Sequence, residues 1–315
     1  MARPYRLRGE NCLYHVMSRG NDRKRIFLKH RDYERFLEYV LAAKDRFRFF
    51  LYAFCLMPNH YHLLLETALP NISSLMQYIN GSYTTYHNTK YRRCGHLFQG
   101  RFKSIVVDKD HYFLELSRYI HLNPVRDKIV SLPDQYLWSS YRGYIHGKDK
   151  YVDLEKVERY LPLSRQSYKR FVLDGIDEGL DPLENVYAGF LLGSPSFIKA
   201  QLRHFGNQIK SKEVSHRAEM SRDPITEQAI IKAVARRFKI TLESLLKEKS
   251  RPMRARQIAI YLLRRYSALT NREIGEKFGL GHSAVSKAGL HIERLIAHNT
   301  GLRRKVEQII SNFEV

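Results

Sequence analysis

Three cysteines, Cys12, Cys55 and Cys94, are spread over 315 residues, and no two of them form a C-x-x-C pair. This excludes a zinc ribbon and a disulfide framework and fits a reducing compartment, so a cytoplasmic protein is expected. No apolar run approaches the roughly 20 residues that span a bilayer. The basic start, Met1 to Glu10, lacks the apolar stretch of a secretory signal. No segment has the pattern of a basic amphipathic anchor, so no membrane partner is expected. Acidic residues are scarce as well: 32 stand against 54 Lys and Arg, a net charge of +22. Such an excess favours a polyanionic partner through Coulomb attraction and counterion release, and nucleic acid is the leading candidate.

The apolar share, 43%, is ordinary for a globular chain, and the length suggests about two domains. Residues 1–150 alternate between strand and helix patterns. Cys12–Arg19 has a period of two and ends on the turn Gly20-Asn21-Asp22. Asp32–Phe47 has helical spacing at Phe36, Val40 and Leu41. Phe49–Glu66 holds two apolar runs broken by Met57-Pro58-Asn59, hence two strands. Asn71–Tyr86 is expected as a helix and Leu97–Val107 as a strand. Asp108–Leu122 is expected as a helix, with Asp108 as N-cap and an end before Pro124. The order β-α-β-β-α-β-α predicts an α+β fold with helices on a largely antiparallel sheet. Residues 151–222 are expected as a helical connector, with a polar linker over 203–222. Residues 223–315 are all helix by pattern.

Two groups of residues in the first part carry chemistry. Asn59-His60-Tyr61-His62 puts two histidines two apart; on a strand they share a face and can chelate one metal ion. Two half-exposed strand histidines are the alternative. Arg118-Tyr119-Ile120-His121-Leu122-Asn123-Pro124 puts Tyr119 and Asn123 one helical turn apart. Asn123 can offer an amide oxygen as a third ligand, or can simply end a helix before Pro124. His121 is a candidate base by proximity, or a solvent-facing helix residue.

Together these strings resemble a known family. His60-Tyr61-His62 is similar to the His-hydrophobe-His motif of the HUH endonucleases, and Tyr119 with Asn123 to their single-tyrosine, IS200-like transposase branch. More specifically, the chain resembles the REP-associated tyrosine transposases. The supporting strings are Tyr14-His15-Val16 with Arg19-Gly20, Gly95 to Lys103, Tyr119 to Val125 and Trp138-Ser139-Ser140-Tyr141. The resemblance implies a ferredoxin-like core and a metal ion, Mg²⁺ or Mn²⁺, held by His60, His62 and Asn123. It also implies attack by Tyr119 on single-stranded DNA beside a hairpin, through a 5′-phosphotyrosine. A monomer is expected for this branch, with a dimer as the alternative. Arg19, Arg92, Arg93, Arg101 and Lys103 are expected on DNA. The last four lie around Phe98 and Phe102, a mixture suited to a single strand or, alternatively, a solvated face over a core strand.

In the tail, Thr270 and Glu273 have the spacing of a capping box that opens a short helix. Gly279-Leu280-Gly281 makes a turn, and a second helix carries Val285, Ala288, Ile292 and Ile296. This is a helix-turn-helix pattern. Residues 225–299 resemble the DNA-binding domain of the bacterial replication initiator at Arg256-Gln257-Ile258-Ala259, Glu273-Ile274-Gly275, Phe278-Gly279 and His282-Ser283. The interval after Phe278-Gly279 is one residue shorter than the family's and lacks its Asp. The expected contacts to duplex DNA are Arg256, Arg265, His282, Ser283 and Lys287. A metal-dependent transposase or nickase is therefore expected. The alternatives are a non-catalytic DNA-binding regulator and a metal hydrolase on another substrate.

Overall fold

A computed structural model describes residues 5–161, 163–177, 181–209, 226–246, 253–267, 269 and 271–311. The chain divides into two compact units, Met1–Leu192 and Gly193–Val315.

The first unit begins β1 (Cys12–Arg19), α1 (His30–Phe47), β2 (Phe49–Met57), β3 (His60–Thr67), α2 (Ile72–Lys90), β4 (Lys103–Val107), α3 (Lys109–Arg126). Helix α1 buries Tyr33, Phe36, Leu37 and Val40, a stripe at i, i+3, i+4, i+7. Its first turn is capped by Asp32, which accepts from the backbone of Leu28 and Lys29 at 2.9 and 2.8 Å. The same buried carboxylate takes Lys90 Nζ at 2.6 Å and Tyr91 OH at 2.7 Å, so the start of α1 is pinned to the end of α2. Pro58 and Asn59 form the two-residue link between β2 and β3.

The strand order is β2-β3-β1-β4, antiparallel throughout, with a two-residue β5 (Leu191–Leu192) parallel to β4. This is the ferredoxin-like arrangement of a split β-α-β. Successive side chains on a strand point to opposite faces. From β3, Tyr61 faces α1 and α2: its ring meets Phe36 at 4.8 Å and its hydroxyl donates to Asn80 at 2.7 Å. His60 and His62 therefore face the other side, which α3 covers. The register places Arg19 opposite His60, Met17 opposite His62 and Lys103 opposite Met17, so Arg19 and Lys103 share the histidine face.

Two expected elements differ. Strand β4 starts at Lys103 rather than Leu97. Gly95 and Gly100 take positive φ, +89° and +67°, and the 96–102 segment runs as a loop joined to the sheet by a bridge between Gly20 and Phe98. Pro124 does not end α3, which runs on to Arg126. A proline inside a helix frees the carbonyl four residues back, here Ile120. The Asn123 side chain offsets part of that loss, its Nδ2 donating to Tyr119 O at 2.8 Å and lying 3.5 Å from Ile120 O.

The first unit continues through α4 (Tyr141–His146), α5 (Leu154–Tyr160) and α6 (Arg165–Leu173). Of the expected connector, the described residues within 151–192 belong to this unit. Asp153 accepts from Leu51 N at 2.7 Å and Lys44 Nζ at 2.8 Å, and Leu191 and Leu192 pair with β4. Of the expected linker, 210–222 lies outside the described residues.

The second unit is helical: α7 (Pro195–His204), α8 (Glu227–Phe238), α9 (Leu242–Leu246), α10 (Met253–Tyr266), α11 (Asn271–Phe278), α12 (His282–His298) and α13 (Thr300–Ser311). Ile230, Val234, Ile258, Leu262, Phe278, Val285, Ile292 and Val306 form its core. Between α11 and α12 the chain turns at Gly279, φ +61°. The turn folds back so closely that a Cβ on Gly275 would run into the Leu280 carbonyl oxygen. Among the described residues, no helix is long and apolar enough to cross a membrane.

Candidate active site

The sheet face under α3 brings sequence-remote groups together. The rings of His60 and His62 lie 5.1 Å apart, and Tyr119 on α3 sits 5.8 Å from His62. A third histidine, His15 on β1, stacks on His62 at 5.1 Å, its Nε2 lying 2.9 Å from His62 Nδ1. His15 also meets the Tyr119 ring edge-on at 6.2 Å. Arg126, two turns beyond Tyr119 on α3, lays its guanidinium over the phenol ring at 4.7 Å. Asn123 follows Tyr119 by one turn and is buried.

Each histidine of the pair has its Nδ1 engaged. His60 Nδ1 lies 2.7 Å from Asn59 Oδ1, and the Asn59 amide is oriented by its Nδ2, which donates to Arg23 O at 3.2 Å. A carbonyl oxygen only accepts, so His60 carries its proton on Nδ1 and presents the Nε2 lone pair. His62 Nδ1 meets a ring nitrogen instead, His15 Nε2 at 2.9 Å, which accepts when His62 carries its proton on Nδ1. Burial holds both imidazoles in the neutral form. His60 is lowered to about 4, with Asp127 opposing and Arg19 adding to the shift, and His62 falls well below its ordinary value through burial, His15 and His60. Burial, then Asp181 and Asp127, push the Tyr119 phenol up to about 12, with Arg126 opposing.

Of the other expected residues, Arg19, Arg92, Arg93, Arg101 and Lys103 are exposed. Phe98 and Phe102 are buried and offer no open stacking surface. His121 is neither solvent-facing nor near the phenol oxygen chemistry. It is fully buried on the far side of α3, its Nδ1 2.7 Å from Tyr168 OH and its Nε2 2.8 Å from Ser140 Oγ. In the tail, Arg265 and Lys287 are exposed. Arg256 is 6% exposed, lies over the Phe278 ring and donates to the Phe278 carbonyl, so it closes the end of α11 rather than facing DNA. Thr270 and the side chains of His282 and Ser283 lie outside the described residues. The spacing of the sequence had no means of finding His15, 47 residues from His62, or Arg126, whose relation to Tyr119 depends on α3 continuing past Pro124.

Residues 9–123 match the transposase family described as IS200 like. The match takes in His15, His60, His62 and Tyr119 and ends on Asn123. Residues 9–123 are an IS200-like transposase domain. Residues 228–292 match the bacterial DnaA protein helix-turn-helix, so this transposase domain is followed by a DnaA-type helix-turn-helix. Among solved structures, a REP-associated tyrosine transposase bound to a REP hairpin is similar at 17% identity, over 46% of this chain and 86% of that one, with TM-score 0.42. A transposase candidate from Deinococcus radiodurans R1 is similar at 18% identity, over 38% and 94%, with TM-score 0.27. Comparison with curated proteins yields no match.

Proposed function

We propose that the transposase domain cuts and rejoins single-stranded DNA beside a hairpin, with Tyr119 as nucleophile. The observation that carries this reading is the meeting of Tyr119 with His60 and His62 on one sheet face, 5.8 Å from ring to ring at His62. The phenolate oxygen of Tyr119 attacks the scissile phosphorus, an O–P bond forms, and the P–O3′ bond breaks. The product is a 5′-phosphotyrosine and a free 3′-hydroxyl, which takes up a proton. Attack by a 3′-hydroxyl on the phosphotyrosine reverses the exchange, so rejoining needs no outside energy source.

The side chains suit a divalent cation, Mg²⁺ or Mn²⁺. His60 and His62 are neutral and oriented by second partners, the arrangement found around metal-binding imidazoles, and their free Nε2 atoms with Asn123 Oδ1 would form the donor set. A cation held there withdraws charge from the phosphate and stabilises the charge that builds during attack. Arg126 over the phenol favours phenolate, while Arg19 and Lys103 on the same face meet flanking phosphates. The helix-turn-helix would hold duplex DNA, raising the local concentration of the cut site. Lys287 and Arg265 are its exposed cations of choice. The domain is expected to act as a monomer.

The test is incubation with single-stranded hairpin DNA and Mn²⁺, followed by a denaturing gel. A covalent protein–DNA adduct, absent in Tyr119→Phe, is expected. Unchanged cleavage by Tyr119→Phe would remove Tyr119 as nucleophile, and binding without cleavage across several hairpins and metals would favour a regulator.

A further inference from the structure

On the opposite side of the sheet from the histidines, a groove of about 630 Å³ runs between α2 and the 96–102 loop. That volume is within the range of small-ligand sites. Its walls carry amides on α2, Gln77 and Asn80, and two arginines, Arg6 and Arg101. The arginines are the unusual feature. Arg6 lies 4.4 Å over the Phe102 ring, and its Nη2 is buried with no hydrogen-bond partner. Among the described residues neither arginine is paired with a carboxylate. Burial and the nearby charge of Arg101 draw the Arg6 guanidinium down to about 10. Two like charges held together beside an unsatisfied donor cost free energy in the empty protein. An anion between them would offset both.

The groove is also linked to the catalytic strand. Tyr61, between the two histidines, spends its hydroxyl on Asn80 Oδ1 at 2.7 Å, which leaves the Asn80 amide hydrogens for a ligand. The 96–102 wall is bonded to the turn after β1, Gln99 N to Arg19 O at 2.8 Å and Asn21 N to Leu97 O at 2.9 Å. The same turn is joined to the residue before His60 through Gly20 N to Asn59 O at 2.8 Å.

We propose that this groove is a second DNA subsite, seating a phosphate of single-stranded DNA between Arg6 and Arg101 with its base against Gln77 and Asn80. The choice of DNA as the polyanion rests on the transposase reading; the anion site itself does not. Gly81 gives a steric test separate from charge, because it lines the groove and a Cβ there meets nothing within 4 Å.

The experiment measures fluorescence anisotropy of a short labelled oligothymidylate, and of a duplex of equal length, with the full chain over a range of salt. Arg6→Gln combined with Arg101→Gln should weaken oligothymidylate binding several-fold and reduce the slope of log affinity against log salt by about 0.7. Gly81→Leu should weaken it with little change in slope, and duplex binding should be unchanged in both. Parental binding by either variant overturns the proposal: from the double variant it removes the phosphate seat, and from Gly81→Leu it removes the groove. An equal loss on duplex marks a general charge effect and also overturns it. The readout is binding without chemistry. Loss of cleavage with Tyr119→Phe leaves the groove to stand or fall separately, and an inactive parent that still binds through the groove would fail only the transposase reading.

Discussion

His15 Nε2 stands 2.9 Å from His62 Nδ1, with both side chains buried and their rings stacked. For His62 to offer Nε2 to a cation, its proton must sit on Nδ1 and be accepted by His15. His15 is thus a positioning residue, setting both the tautomer and the ring orientation of His62. Loss of such a partner typically weakens metal binding 10- to 100-fold.

His15→Ala should lower Mn²⁺ affinity within about that range in calorimetric titration. His15→Gln, whose carbonyl oxygen can still accept, should restore much of it. Nitrogen-15 shifts of His62 in metal-free protein give a second reading: the Nδ1–H tautomer should dominate in the parent and His15→Gln and be lost in His15→Ala. Unaltered affinity in His15→Ala would remove this role.

Arg126 is expected to act on the nucleophile. Its charge, 4.7 Å above the Tyr119 ring, opposes the burial that raises the phenol to about 12. Adduct formation should therefore rise with pH between about 6 and 9, as the phenolate fraction grows. Arg126→Gln should slow it several-fold at neutral pH, the range of about 0.5–2 kcal/mol for a cation over an aromatic ring. A single-turnover rate unchanged by Arg126→Gln would exclude the effect.

Acid should destabilise the first unit through His121. Burial lowers this imidazole to about 3, whereas an unfolded histidine titrates near 6.5. The unfolded chain therefore takes up the proton first as pH falls. Stability is complete above about 6.5 and declines from there toward pH 3, by up to roughly 1.4 kcal/mol per pH unit from this residue. Urea melts of His121→Gln, which keeps a donor and an acceptor without titrating, should show a shallower decline.

In the helix-turn-helix, three substitutions separate folding from DNA contact. Arg256→Ala should lower the melting temperature of the second unit, because it frees the Phe278 carbonyl and unpacks a buried guanidinium. Gly275→Ala should do so more strongly, since the Leu280 carbonyl leaves no room for a Cβ. Lys287→Ala should leave the melt unchanged and lower the salt slope of duplex binding by about 0.9. A destabilised Lys287→Ala, or an Arg256→Ala that loses only salt slope, would reverse these assignments.

The sequence by itself determined the element order from β1 to α3, because period-two and helical spacings report which side chains must be buried whatever the partner is. It also placed Tyr119 and Asn123 on one helix face and gave the helix-turn-helix its glycine turn. It did not determine where α3 ends: Pro124 is a local stop signal, and it was overridden by packing and by the Asn123 side chain bonding back to the helix. It assigned Arg256 to DNA from its charge and the initiator-like string around it, whereas the fold buries that side chain. Only the tertiary structure decided which histidine supports His62, because strand pairing joins positions 15 and 62 at a distance that no local pattern encodes. The same holds for Arg6 and Arg101, two like charges that come together only when the chain ahead of β1 meets the loop ahead of β4.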